Sequence, residues 1–359
     1  MFALASALAA GKATGAQDLT AFAAVGVTRD DNVFRLADDA SDTDTYRVAS
    51  AGLHFDLPVS AQHLTADGKV EDYRYQHFDE LDHHAYNAEL AWLWKLGARS
   101  EGKFDYQASS VLTSFSNLQA GVQTTTPNEE KSQQLRAEAG YGLTGTLQLR
   151  AAVDRLIENN SAEIYLPSDM RRNGAEASVA VVGRTGHRIG VQARVEDATL
   201  PNPEIVLHSL IDNSYKQRRI GPFIEWQLSD TLGLKARASR VERKYDQVAA
   251  RDYLAWTWGA DMTWQPDDRF TLTAQVRHDI SDHEEINVGL VFIQGVALQS
   301  AITFSEKTSL TLGAERDRRS YYSDAAHVDA AAVSEDLTVA DARLNWQATR
   351  LLSLSLAAH

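Results

Sequence analysis

Cysteine is absent from all 359 residues, so no disulfide and no thiolate metal site can form. Proline is scarce, at 7 residues, which rules out a proline-rich linker or stalk. A basic surplus is missing too: 35 Lys and Arg stand against 49 Asp and Glu, a net charge of −14. Such a surface does not neutralise phosphodiesters, so nucleic acid is excluded as a partner. No apolar run reaches the roughly 18–20 residues that a membrane-spanning helix requires. Helical spacing of apolar residues is not sustained anywhere either.

Catalytic signatures are equally sparse. The chain has no His-Glu-x-x-His, Gly-x-Ser-x-Gly, phosphate-loop or dinucleotide glycine motif. His83-His84 lies near Asp79, Glu80 and Asp82, but adjacent strand residues point to opposite faces and the two imidazoles do not converge on one ion. Asp30, Asp31 and Asn32 could hold calcium, though a polar turn at a strand end explains them as well. "SDHEE" (Ser281–Glu285) reads as an exposed hairpin tip, and His278 and Asp279, being consecutive, face opposite ways. The expectation is therefore no catalytic residue, no metal and no cofactor.

What the chain does have is alternation. In "WTWGADMTWQPDDRFTLTAQVRHDI", Trp256, Trp258, Ala260, Met262 and Trp264 alternate with Thr257, Gly259, Asp261 and Thr263. After Pro266–Asp268 the pattern resumes, with Phe270, Leu272, Ala274 and Val276 against Thr271, Thr273, Gln275 and Arg277. The same period of two runs through Leu147–Asp154, Ile189–Glu196 and Leu232–Ser239. This is the mark of strands with one apolar and one wet face.

The connections take turns between two classes. Tight ones fall near Pro58, Gly97, Thr144-Gly145, Arg184–Gly186, Ser229-Asp230, Pro266–Asp268, Glu306-Lys307 and Thr349-Arg350. Polar and mostly longer ones fall near Ala37–Asp44, Gln76–His83, Ser116–Glu130, Glu158–Met170, Leu200–Asp212, Tyr245–Arg251, Ser281–Glu285 and Arg318–Ser334. Propeller blades would show short strands with blade signatures, which are missing. Long meandering strands with short turns on one side describe an all-β fold, a transmembrane antiparallel up-and-down β-barrel. Such a barrel satisfies its backbone between strands and needs no continuous apolar segment.

The aromatic residues point the same way. Trp92, Trp94, Trp226, Trp264 and Trp346 each precede a tight turn and share parity with the aliphatic face, and Tyr141 fits the same ring. These six are the expected membrane-interface belt, which makes outer-membrane lipid a partner. The opposite parity carries Glu89, Arg136, Glu138, Asp154, Glu176, Arg188, Glu225, Asp279 and Glu315, and with them Arg150, Arg194, Lys235, Arg237, Arg277 and Arg343. Barrels of 16–18 strands leave an aqueous channel. Mixed charge lining it is either an ion-pair lattice or a surface that hydrogen-bonds a polar solute. Phe104, Tyr106 and Phe223 are read as inward aromatics, from register slips or as sugar-stacking rings.

The connections give about 17 strands, whereas bacterial single-chain barrels have even numbers. The expectation is a barrel of about 18 strands lacking its last strand here. Residues 1–16 read as a signal-like segment, with "FALASALAA" as apolar core and a cut after Ala16, or else as an Ala-rich terminus; residues 17–359 read as the barrel.

At "VGVTRDDNVFRL" (Val25–Leu36), after the signal-like start, the sequence resembles the EpsL-type exopolysaccharide biosynthesis operon proteins, outer-membrane β-barrels of exosortase-associated polysaccharide clusters. "WQLSDTLGLKARAS"-like turn–strand units extend the resemblance over most of the chain, while His359 departs from the terminal aromatic such barrels carry. The resemblance implies a Gram-negative outer-membrane pore for exopolysaccharide export, with polysaccharide as cargo and a periplasmic polysaccharide-export protein as partner. Arg150, Arg194, Lys235, Arg237, Arg277 and Arg343 are then the candidate glycan contacts. A general diffusion porin is the alternative; less favoured are an outer-membrane hydrolase or lipid-modifying enzyme, and a plugged barrel that only recruits partners.

Overall fold

The computed structural model of the protein describes residues 2–12, 18–36, 42–115, 125–206, 209–280, 290–322, 333–349 and 352–358. Alternation becomes strand throughout. The chain order is β1 (Phe2–Lys12), β2 (Asp18–Asp30), β3 (Asp44–Val59), β4 (Gln62–Tyr75), β5 (His83–Leu96), β6 (Ser100–Leu112) and β7 (Glu129–Gly142). It continues with β8 (Leu147–Asn160), β9 (Met170–Val182), β10 (Arg188–Thr199), β11 (Glu204–Val206), β12 (Ser209–Ile211), β13 (Tyr215–Ser229) and β14 (Leu232–Tyr245). The last six are β15 (Tyr253–Asp267), β16 (Phe270–Ile280), β17 (Leu290–Ser305), β18 (Thr308–Tyr322), β19 (Val333–Gln347) and β20 (Leu352–Ala358).

All but β11 and β12 join one 18-stranded sheet in which sequence neighbours pair antiparallel. β11 and β12 form a separate two-stranded hairpin within the loop after β10. Seventeen strands of the large sheet lie between Asp18 and Ala358, the number the alternation predicts. The eighteenth position is taken by Phe2–Lys12, the apolar core of the signal-like segment, which pairs antiparallel with both β20 and β2 and closes the ring. An odd ring would force one parallel seam; an even one does not.

The two ends are built differently. At the turn end, side chains satisfy the few free amides: Asp267 accepts from Arg269 and Phe270 at 2.9 Å, and Thr144 from Leu147 at 3.0 Å. Gly97 takes a positive φ of 63°, a conformation without cost for a residue lacking Cβ. At the loop end, three hairpins repeat one device. Short 3-10 turns at Asp79–Leu81, Glu163–Ser168 and Ala249–Arg251 are each followed by an aspartate that reaches back to the strand just left. Asp82 accepts the Tyr75 N–H at 2.7 Å, Asp169 that of Asn160 at 2.6 Å, and Asp252 that of Tyr245 at 2.8 Å.

Two apolar clusters support the loop end. In one, Tyr215 and Val241 are fully buried beside Leu156, Met170, Leu200 and Tyr253. In the other, Val33, Phe34, Leu81 and Phe115 bring three loops together, with Phe34 edge-on to Phe78 at 4.9 Å and to Phe115 at 5.0 Å.

Candidate functional site: the charged wall of the lumen

Residues directly opposite one another in an antiparallel sheet share a face, so the register sorts every side chain. One face carries Trp92, Val153, Val195, Ile220 and Trp256, with between 44% and 60% of their surface open and no second protein layer over them. The other face carries the charges. Arg219 on β13 and Asp279 on β16 approach to 3.7 Å although β14 and β15 lie between them. Strands sit about 4.8 Å apart, so those two strand axes are separated by roughly 14 Å along the sheet. Such a pair closes only where side chains converge, on the concave inner surface. The charged face therefore lines the lumen, and the apolar face looks outward.

The candidate belt residues all lie on that outward face near the turn end. Trp92, Tyr141, Trp226, Trp264 and Trp346 are each between 40% and 48% exposed. Trp94 is half-buried because its indole lies over Gly102, where a Cβ would clash with it. Trp92 donates its indole N–H to Gln62 at 2.9 Å. Trp256 and Trp258 stand outward nearer the loop end.

Phe104 and Tyr106 are corrected by the register. Phe104 sits opposite Trp92 and Tyr106 opposite Leu90, so both face outward. The inward positions of β6 are Glu101, Lys103, Asp105 and Gln107, and no register slip intervenes between β5 and β6. Phe223 does face inward, opposite Arg237, with the Arg188 guanidinium 5.6 Å over its ring.

On the lumen wall from β6 to β14 the charged side chains, with Gln217 as one neutral link, form one continuous chain. Glu101 accepts from Gln148 at 3.1 Å and from Arg150 at 3.0 Å; Arg150 also donates to Glu138 at 3.3 Å. Arg136 links Glu138, Asp154 and Glu176 at 3.3–3.5 Å. Arg194 grips Asp154 with both terminal nitrogens, at 2.7 and 2.8 Å, and donates its Nε to Glu196 at 2.9 Å. Gln217 carries the chain from Glu196 to Arg243, whose guanidinium stacks 3.8 Å from the Tyr215 ring centre. A smaller set on β16 and β18 joins Arg277 to Glu315 and Asp317.

Glycine makes these cross-strand pairs possible. A Cβ at Gly174 would stand 2.6 Å from an Arg194 nitrogen and 2.7 Å from an Asp154 oxygen, inside their hydrogen-bonded pair. Gly295 leaves the same kind of gap between Arg277 and Asp317. Partly exposed pairs contribute only about 0–1 kcal/mol each, but a connected, bidentate array fixes the wall geometrically.

The six candidate glycan contacts thus divide. Arg150, Arg194 and Arg277 are committed to the lattice. Arg237 is 59% exposed and reaches Asp279 only at 3.7 Å. Lys235 and Arg343 are exposed and form no ion pair among the described residues. These three are the cations available to a solute.

The remaining polar clusters resolve into structure. Asp30 takes a two-pronged contact from Arg35 at 2.8 and 2.9 Å, and Asn32 both accepts from and donates to the Leu36 backbone. The "DDNVFRL" stretch is thus a locked turn that presents Val33 and Phe34 to the neighbouring loops. His83 bonds the Leu81 carbonyl at 2.7 Å whereas His84 meets Asp72 at 3.1 Å, each on its own face. Among the described residues no three His, Cys, Asp or Glu side chains gather as metal ligands would. Ser281–Glu285 and most of the Ser116–Glu130 and Arg318–Ser334 connections lie outside the described residues.

No family model matches the sequence, nor does any curated protein. Solved structures share its fold. The FrpB iron transporter from Neisseria meningitidis superposes with TM-score 0.50 at 10% identity, over 96% of this chain and 66% of its own. The siderophore receptor PirA from Acinetobacter baumannii gives 0.42 at 6% identity, and the copper transporter OprC 0.42 at 9%, each over 99% of this chain and 80% of the other. The fold is that of an outer-membrane β-barrel. With an apolar exterior, an ionic interior and a turn-side aromatic belt, the protein resides in the Gram-negative outer membrane.

Proposed function

We propose that the protein is an outer-membrane pore that takes part in exopolysaccharide export. The observation that carries the pore is the closed ring of eighteen strands with an ionic inner wall. Side chains do not fill a ring of this size, so it encloses water. The polysaccharide cargo rests on the resemblance at Val25–Leu36, the segment that forms the locked turn at the loop end. A periplasmic export protein delivering polymer to the turn end is the partner this reading requires.

The lattice supports the assignment by doing two jobs on one wall. Committed pairs keep the bore round and wet without offering a deep binding well. Lys235, Arg237 and Arg343 remain as separate cations along which an acidic glycan can slide, since weak, spaced contacts favour passage over capture. The test is single-channel recording in planar bilayers. The proposal expects open channels that exopolysaccharide fragments block transiently; channels indifferent to polymer but permeable to small sugars would assign a diffusion porin instead.

A further inference from the structure

The outward face carries one feature that a conduit does not need. On β8, β9, β10, β13 and β14, no charged residue stands on the outer face on the turn side of Val153, Ala175, Val195, Ile220 and Ala238. On the loop side of that line four of the five strands carry outer cations, Arg155 on β8, Arg171 on β9, Lys216 and Arg218 on β13, and Arg240 and Lys244 on β14, whereas β10 carries Asp197 and Thr199. The only acidic residues on the same outer surface of these strands are Asp197 and Glu242, within a chain of net charge −14.

The register sets these cations side by side. Lys216 lies opposite Lys244, Arg218 opposite Glu242, and Arg240 opposite Ile220. Lys244 meets Glu242 at 3.1 Å, while Arg155, Arg171, Lys216, Arg218 and Arg240 form no ion pair among the described residues. A shallow groove of about 730 Å³ opens here, bounded on its outer side by Val195, Arg218, Ile220, Arg240, Glu242, Lys244 and Leu254. Its floor is aliphatic, and its loop-side rim carries three cations and one carboxylate, Glu242, which is bonded to Lys244. Trp256, opposite Arg240, is 60% exposed beside it.

We propose that this groove holds a phosphorylated glycolipid of the outer leaflet, with acyl chains along Val195, Ile220 and Leu254 and headgroup phosphates on Arg218, Arg240 and Lys244. Three physical facts converge on that occupant. The cations begin where the lipid-facing apolar surface ends, at the depth where headgroups lie. Arginine forks match phosphate oxygens two at a time, and long basic side chains reach from apolar surface to a polar layer. Like-charged neighbours such as Lys216 and Lys244 repel one another unless anions lie near them. Asp197 opposite Lys216 and Glu242 bonded to Lys244 offset only part of six cations, so this array, unlike the lattice inside the barrel, keeps a net positive charge for something outside.

The experiment uses the full chain in mild detergent, mixed with bis-phosphorylated lipid A and weighed by native mass spectrometry. The wild type retains the glycolipid, and combined Arg218→Gln, Arg240→Gln and Lys244→Gln lowers the bound fraction at least fivefold. Glycolipid stripped of its phosphates binds as weakly to the wild type, and inorganic phosphate at equal concentration does not displace the lipid. Arg316→Gln, on the outer face of β18, leaves retention unchanged. Equal retention by the triple variant, equal binding of the dephosphorylated lipid, displacement by free phosphate, or an equal loss in Arg316→Gln would each overturn the proposal. Should the triple variant not fold, salt titration of the wild type decides: retention that is insensitive to salt overturns it.

Discussion

Arg194 on β10 holds both carboxylate oxygens of Asp154 on β8, at 2.7 and 2.8 Å, across the face of β9. The strand between them contributes Gly174 at that point, so the pair lies flat against the wall. Neighbouring strands alone do not bring these residues together; curvature and a missing side chain do.

A double-mutant cycle of Arg194→Met and Asp154→Leu tests whether this contact is an energetic unit. Each single change leaves an opposite charge partly buried and lowers stability by about 1–3 kcal/mol. The double change costs less than the sum, with a coupling of about 1–2 kcal/mol read from denaturant unfolding in detergent. Strict additivity would show that the pair is incidental.

Gly174→Val places a branched side chain inside that same pair. The expected result is a barrel less stable by about 1–3 kcal/mol, with a lowered heat-modification midpoint on gels. Gly145→Val, in a turn where nothing lies within 4 Å of an added Cβ, serves as the control and shifts the midpoint little.

Neutralising the three available lumen cations separates lattice from permeation. Lys235→Gln, Arg237→Gln and Arg343→Gln together shift channel selectivity toward cations and shorten blocks by an acidic polysaccharide several-fold. Folding is unaffected, because none of the three supports the continuous ion-pair chain. Unchanged selectivity would remove these residues from the permeation path.

The loop-end tie at Asp82 sets an acid limit. The Tyr75 amide donating into its carboxylate, seconded by Arg74, holds the Asp82 carboxyl below the usual carboxylate range. A lowered value means the tie stabilises the hairpin above the ordinary aspartate pKa, about 3.9, and is lost as pH falls through the lowered one. Protection of the Tyr75 amide from hydrogen exchange should therefore persist at neutral pH and fall in acid. In Asp82→Asn it should be weak and independent of that transition.

Much of the barrel is legible in the sequence because a period of two survives wherever one face meets lipid and the other water. Trp256 to Trp264 and Leu147 to Val153 declare their faces without any tertiary information. Phe104 and Tyr106 carry the same signal, since Lys103 and Asp105 alternate against them, and pairing with Trp92 and Leu90 places them outward, on the side that this alternation indicates. The ties at Asp82, Asp169 and Asp252 span seven and nine residues of irregular chain, which carry no periodic signal. Partners such as Arg219 and Asp279 are set by ring closure, a property no local stretch encodes. The basic outer rim was hidden for another reason: its cations share parity with the aliphatic residues and differ from them only in height along the strand.

The absence of cysteine permits the most direct test of the closed barrel. Single Lys235→Cys, Ala236→Cys, Arg237→Cys and Ala238→Cys variants in proteoliposomes are treated with a charged, water-soluble thiol reagent. The account predicts labelling at 235 and 237 and none at 236 and 238. Equal labelling along β14, or the reverse alternation, would contradict it.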